Sequence, residues 1–341
     1  MGLFSVIVTL GLTLMLFSET ISALRDSANQ SVEIDFFVFW GAAKLAASGL
    51  PIDALNPDRI REAAGSTGDQ WMPGAYPPAF LLALKPLASL SFPMAWAVFT
   101  VISTVAILLA VRPLVGRRLH LLCAAALAPA FVPAFLMGHT STHWAAGLVA
   151  ALVALNADRP ILAGIFIGLL PFKPQLGLLI PVALIALGAW RVMISAAVTT
   201  AFMIALPTLI FGVAYWPAWI DATALHSETA RASISELILM VLIWRAPKIA
   251  FDVKAAVLIT AILLSSPYLW LYETALLAPA ALFMLRAGVL RLVPWQIALG
   301  GAMWLGLAIG MSIIMQGSQA DIHRFYIVPV TVIALATSLL H

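Results

Sequence analysis

The 341-residue chain is 63 % hydrophobic with a mean hydropathy of +1.04, and only 10 % of its residues are charged, against roughly 25 % in soluble domains. Its net charge of +3 comes without any basic cluster interleaved with aromatics, which excludes nucleic acid as a partner. The apolar residues form long runs, not a period-two alternation, which excludes a barrel and leaves helices that satisfy their own backbone groups in lipid.

The predicted fold is therefore an all-α polytopic integral membrane protein, one membrane domain over 1–341, with about 10–12 transmembrane helices. The first apolar run, 3–24, has no Lys or Arg ahead of it and no clear small-x-small site behind it, and reads as an uncleaved span. A polar stretch, 25–75, follows. Within it the residues near 34–48 predict an interfacial amphipathic helix, with Phe36, Phe39, Trp40, Ala43 and Ala47 along one side and Gly49-Leu50-Pro51 as its stop. Residues 53–65 predict a second, more soluble helix. The run Trp71-Met72-Pro73-Gly74-Ala75-Tyr76-Pro77-Pro78 is too proline-rich for helix. A short apolar helix, 79–90, comes next. Further spans are predicted at 92–111, 119–136, 143–156, 161–171, 175–190, 192–213, 235–245, 250–266, 272–285, 295–315 and 326–340. The segments 161–171 and 235–245 are shorter than the about 20 residues a crossing needs, so they read as tilted, broken or re-entrant.

Charge orients the bundle. With the N-terminus in the cytoplasm, the short loops 112–118, 156–160, 189–191, 244–254 and 286–291 hold more than half of the 18 Lys and Arg but only Asp158 and Asp252 among the 15 acids. That is the positive-inside pattern. It places both termini in the cytoplasm and the stretch 25–75 outside. The single Cys123 can form no intrachain disulfide, and no Cys/His zinc spacing occurs.

Ionisable residues at membrane depth are functional candidates. Those at the outer ends of the spans are Asp35, His139 and His143 in MGHTSTHW, Lys173 between Pro171 and Pro174, Glu273 beside Tyr268, Trp270 and Tyr272, His323 and Arg324 before the last span, and His226, Glu228 and Arg231. Tyr76, in the proline-rich return, joins them. Each has a plainer reading. Asp35 is also a favoured helix cap, Lys173 a side chain that snorkels to the interface, and Glu273 a partner for a neighbouring cation. His139 and His143, at i and i+4, read as metal ligands on one helical face or as interfacial hydrogen-bonding groups. Asp53, Asp58, Arg59, Arg61 and Glu62 read as a solvated face, and Trp216 and Trp219 as belt residues. No phosphate loop, nucleophile elbow or Walker signature is present, which speaks against nucleotide chemistry.

Three early motifs, Asp35-Phe-Phe-Val-Phe-Trp-Gly-Ala-Ala, Gly49-Leu-Pro-Ile-Asp53 and Tyr76-Pro-Pro-Ala-Phe-Leu-Leu-Ala-Leu-Lys-Pro-Leu, resemble the opening of glycosyltransferase family 87. Met137-Gly-His-Thr-Ser-Thr-His is similar to that family's Gly-Gln-x-Asn turn, with His139 in place of Gln and no Asn following. Gly164-Ile-Phe-Ile-Gly-Leu-Leu-Pro-Phe-Lys173-Pro resembles its glycine-rich segment ending in Lys-Pro, and Ser266-Pro-Tyr-Leu-Trp-Leu-Tyr-Glu273 its Ser-Pro-x-x-Trp block. The resemblance runs over nearly the whole chain. It implies a GT-C-like bundle, related to bacterial polyprenyl-phosphate-mannose-dependent α-mannosyltransferases, in the bacterial cell membrane. It also implies a polyprenyl-phosphate-linked sugar donor, a lipid or glycan acceptor, and Asp35 as the catalytic base on the extracytoplasmic side.

Chemistry alone points the same way. A polyprenyl phosphate leaves without a strong acid, so the reaction needs groups to hold the phosphate and one carboxylate to take the acceptor's proton; a glycosidase needs two carboxyl groups. Lys173 and Arg324 are the expected phosphate holders. His323, His139, Tyr76, Glu273, Tyr272 and His226 are further substrate-binding candidates. The chemistry requires no cofactor and leaves a divalent cation open. The alternative is a transporter or flippase of lipid-linked or small polar solutes, which would place polar groups through the midplane and not at one leaflet; a third class, an acyl or phosphoglycerol transferase, would want a nucleophile arrangement not found here.

Overall fold

The computed structural model describes residues 34–65, 76–118, 121–122, 131–224, 234–266, 271–291 and 293–296. All regular structure among them is helical. The predicted spans 3–24 and 326–340 lie outside the described residues, as does nearly all of 295–315.

The helix predicted near 34–48 forms as α1, Asp35–Ala47, but its packing corrects the expectation of a one-sided apolar face. Phe36, Val38, Phe39, Gly41, Ala42, Ala43, Leu45 and Ala46 are all buried, and these positions run around the axis. Protein covers the helix: α2 (Pro57–Ala64), α3 (Pro78–Leu84) and the 3₁₀ continuation Lys85–Ser89 pack on it. At Gly41 a Cβ would stand 2.7 Å from the carbonyl oxygen of Ile60, so only glycine admits this approach of α2. The cap reading of Asp35 is corrected too. Ile34 holds the N-cap position without a side-chain cap bond, and Asp35 lies in the first turn.

The second soluble helix is as expected. Asn56 caps α2 by accepting from the backbone N–H groups of Asp58 and Arg59, and Gly65 ends it. Arg59 pairs with Asp53 and Glu62, and Arg61 with Asp58, on a solvated face.

Among the described residues two helices are long and apolar enough to cross a membrane: α4 (Phe92–Val115, 24 residues) and α9 (Trp190–Phe211, 22 residues). Between them run α5 (Phe131–Leu136), α6 (Ser141–Asn156), α7 (Pro160–Gly168) and α8 (Leu179–Leu187). The break expected in 161–171 is present: α7 stops at Gly168, and two 3₁₀ turns, Leu170–Phe172 and Pro174–Leu176, flank Lys173. The predicted span 175–190 shortens to the nine residues of α8, because the second 3₁₀ turn delays its start and Gly188, in the left-handed region, closes it. After α9 come α10 (Tyr215–Ala224), α11 (Ile234–Arg245), α12 (Phe251–Ser265), a 3₁₀ segment Leu271–Leu276 and α13 (Leu277–Arg286).

Two apolar cores result. The larger joins the second half of α4 with α6, α7, α8, α11, α12 and α13 around Trp144, Trp244, Phe131 and Phe283. The smaller gathers α1, α2, α3 and the start of α4 around Phe36, Phe39 and Phe99, and takes in Met137 and Tyr215. The segment from Met137 to Trp144 passes from one core to the other.

Candidate active site

That passage is built from a local signal. After α5 the amide of His139 donates to the carbonyl of Ala134 at 2.7 Å and that of Gly138 to the carbonyl of Phe135 at 3.1 Å. This is a Schellman C-cap with Gly138 in the left-handed position, φ 64°. The free carbonyl of Met137 then accepts the amide of Phe36 at 2.9 Å, satisfying one of the unpaired donors at the start of α1. A Cβ on Gly138 would stand 2.5 Å from that of Phe36. The first turn of α1, with Asp35 in it, is thereby fastened to the His139 turn from a distant part of the chain.

The proline-broken segment brings Lys173 to the same place. Pro174 restricts its backbone to the extended side, and the residue is 5 % exposed. Its ammonium lies 2.5 Å from Glu273 Oε1, 3.2 Å from Ser141 Oγ and 3.4 Å from His139 Nε2. Ser141 Oγ donates to Glu273 Oε1 at 2.7 Å and lies 2.8 Å from His139 Nδ1. The Ser141 backbone N–H also donates to His139 Nδ1, at 3.3 Å, while the Ser141 hydroxyl donates to Glu273. Burial, then the Lys173 charge, holds His139 well below the usual imidazole range, so it is neutral.

Tyr272 lies on the His139 ring, with centroids 4.3 Å apart, and its hydroxyl bonds the Asp35 carboxylate. Burial pushes the Asp35 carboxyl up from 3.8 to about 6; Lys173 and the Tyr272 hydroxyl pull it down, while Glu273 pushes it up. Tyr76 reaches the cluster through Thr140, hydroxyl to hydroxyl, at 3.4 Å. The structure thus brings together Asp35, Tyr76, His139, Lys173, Tyr272 and Glu273. Arg324, His323 and His226 lie outside the described residues.

Two expectations change. Lys173 is not an isolated cation but half of a buried ion pair, the plainer reading given to Glu273. His139 and His143 do not share a helical face, because His139 precedes α6 while His143 lies within it against Phe99, at 4.4 Å. No three His, Cys, Asp or Glu side chains come together as a metal site among the described residues. Ser141 was missed in the sequence; the only signal was its place in the polar stretch His139-Thr140-Ser141-Thr142-His143. Four buried polar atoms here lack a partner: Asp35 Oδ2, Thr142 Oγ1, His143 Nδ1 and Glu273 Oε2. Elsewhere among the described residues only the Trp244 indole shares that state. Unsatisfied buried groups at this density mark a place where a polar ligand belongs.

The model of glycosyltransferase family 87 matches residues 75–305. The chain belongs to glycosyltransferase family 87. No curated protein and no solved structure matches it. The family 87 match takes in Tyr76, His139, Ser141, Lys173, Tyr272 and Glu273, while Asp35 precedes it and meets it through the Phe36–Met137 bond. As a family 87 member the protein is a transferase of sugars, so its site must receive a glycosyl donor and an acceptor.

Proposed function

We propose that this enzyme transfers a sugar, mannose or another hexose or pentose, from a polyprenyl-phosphate donor to a lipid or glycan acceptor with inversion at the anomeric carbon. The acceptor oxygen attacks that carbon as its bond to the phosphate oxygen breaks. The polyprenyl phosphate leaves with the bonding electrons, and Asp35 Oδ2 takes the acceptor's proton. The observation that carries this reading is the enclosed, unpartnered Asp35 Oδ2 beside the Lys173–Glu273 pair. A carboxyl near pKa 6 is ionised at neutral pH yet basic enough to accept a proton. Lys173 holds the phosphate with the hydrogen now spent on its longest contact, His139 Nε2. Arg324 is the second phosphate holder in this reading, with His323 and His226 as further substrate-binding residues.

The surroundings of that lysine are apolar on one side, as an isoprenoid tail would require. Phe39, Tyr76 and Phe80 pack ring to ring, and Phe80 stacks on Phe172, the neighbour of Lys173, at 5.7 Å. The enzyme is a single membrane domain in the bacterial cell membrane, a GT-C-like multi-pass bundle with 25–75 and the active site outside. Exposed apolar stripes support immersion in lipid: Met94, Val98, Val101, Val105 and Leu109 on α4, and Ile194, Val198, Phe202 and Leu209 on α9, the last 84 % exposed. The test is product analysis of purified protein with a panel of radiolabelled polyprenyl-phosphate sugars. Label should move to an acceptor from at least one member; none moved from any member would end the reading.

A further inference from the structure

Glu273 uses its two carboxylate oxygens differently. Oε1 receives both Lys173 Nζ and Ser141 Oγ. Oε2 has no partner, in a residue 3 % exposed. The two bonds on Oε1 hold the carboxylate plane, so the direction of Oε2 is set before any ligand arrives. A buried carboxylate oxygen calls for a hydrogen-bond donor.

The donors that reach Oε1 are already committed. The three ammonium hydrogens of Lys173 face Glu273, Ser141 and His139, and the Ser141 hydroxyl is committed to Oε1. A phosphate oxygen is an acceptor and is repelled by Oε2. A sugar hydroxyl is a neutral donor of the right kind, and a charge-assisted bond to it is strong. We propose that Glu273 Oε2 accepts a hydroxyl of the donor's sugar ring and so selects which sugar is transferred. This rests on the transfer reading above. There the donor phosphate sits at Lys173, and the ring, joined to that phosphate through its anomeric carbon, comes next to the lysine's partner, Glu273. The two orphan carboxylate oxygens then divide the work: Asp35 Oδ2 takes the acceptor's proton and Glu273 Oε2 reads the donor. Lys173 and Ser141 act as positioning residues for that reading.

The experiment is competition binding of a short-chain polyprenyl-phosphate mannose and its singly deoxygenated analogues to purified enzyme, with transfer to acceptor scored separately. Sites that bond a substrate hydroxyl reject the analogue lacking it by about 10²-fold or more. Wild type should reject one analogue on that scale, and Glu273→Gln should cut the rejection of that analogue to less than about 10-fold while leaving the rest of the ranking alone. Glu273→Asp, which withdraws the carboxylate by one methylene, gives the same readout if the Gln variant does not fold. A wild type that binds all analogues alike, or variants that keep its ranking, overturns the proposal. So does a Glu273→Gln effect confined to deoxygenated acceptors. Selective binding without transfer by wild type would sink the transfer reading and leave the role of Glu273 standing; transfer without selectivity would do the reverse.

Discussion

Asp35 is held in the folded chain at a cost. In the native chain its carboxyl titrates at about 6, against the ordinary 3.8. Between about pH 4 and pH 6 the folded state therefore holds a proton that the unfolded chain has lost, and stability falls as pH rises through that window. The loss is at most ~3 kcal/mol, and less because the residue is only partly buried. Asp35→Asn removes it. The variant should melt at or above wild type near neutral pH, and the difference should close below about pH 4, measured by thermal scans across pH. Activity should move the other way. Wild-type turnover should rise as pH passes through about 6, and Asp35→Asn should lose at least ~10²-fold. A stable variant with near-normal transfer would move the base elsewhere. Lys173 behaves differently. Lys173→Ala strands Glu273 as an unpaired buried acid and should destabilise by roughly 3–5 kcal/mol. The double variant Lys173→Met, Glu273→Leu removes both charges and should recover most of that stability without recovering transfer, read by denaturant melts beside the assay.

At the level of helices, close approaches decide what stands next to what. Gly138 does two things at once: it supplies the left-handed turn after α5 and leaves room for Phe36. Gly138→Ala combines backbone strain with a clash and should cost about 1–3 kcal/mol or more. Because the turn fastens α1, transfer should fall by more than the loss of folded protein accounts for, measured as turnover per folded molecule. Gly164 and Gly168, spaced as small-xxx-small, let α7 meet α9: a Cβ at Gly164 would stand 2.4 Å from that of Ser195, and one at Gly168 2.5 Å from that of Thr199. Gly168→Val should separate these helices and lower the melting temperature while leaving the pH profile of any remaining activity unchanged, since neither glycine touches the titrating groups.

The described helices turn long apolar stripes outward, and the short loops of the sequence carry a one-sided excess of Lys and Arg, the pattern by which such a bundle would be oriented. With Cys123→Ser as background, Glu62→Cys should react with an impermeant thiol reagent in intact cells and Arg117→Cys only after permeabilisation; both positions are exposed. The opposite pattern would invert the bundle. Helical class, a helix within 53–65, the long apolar helix from residue 92 and the break at Lys173 were all legible, because composition and prolines act over a few residues. The family was legible from short motifs spread along the chain. Three things were not. Whether the face of α1 meets lipid or protein depends on α2 and α3 folding over it. Whether Lys173 is free depends on Glu273, 100 residues away. That Ser141 joins them depends on where α6 begins. Periodicity and capping report local free energies, whereas a buried ion pair and a covered helix face arise only when distant segments exclude the same water, and that exclusion belongs to the tertiary structure.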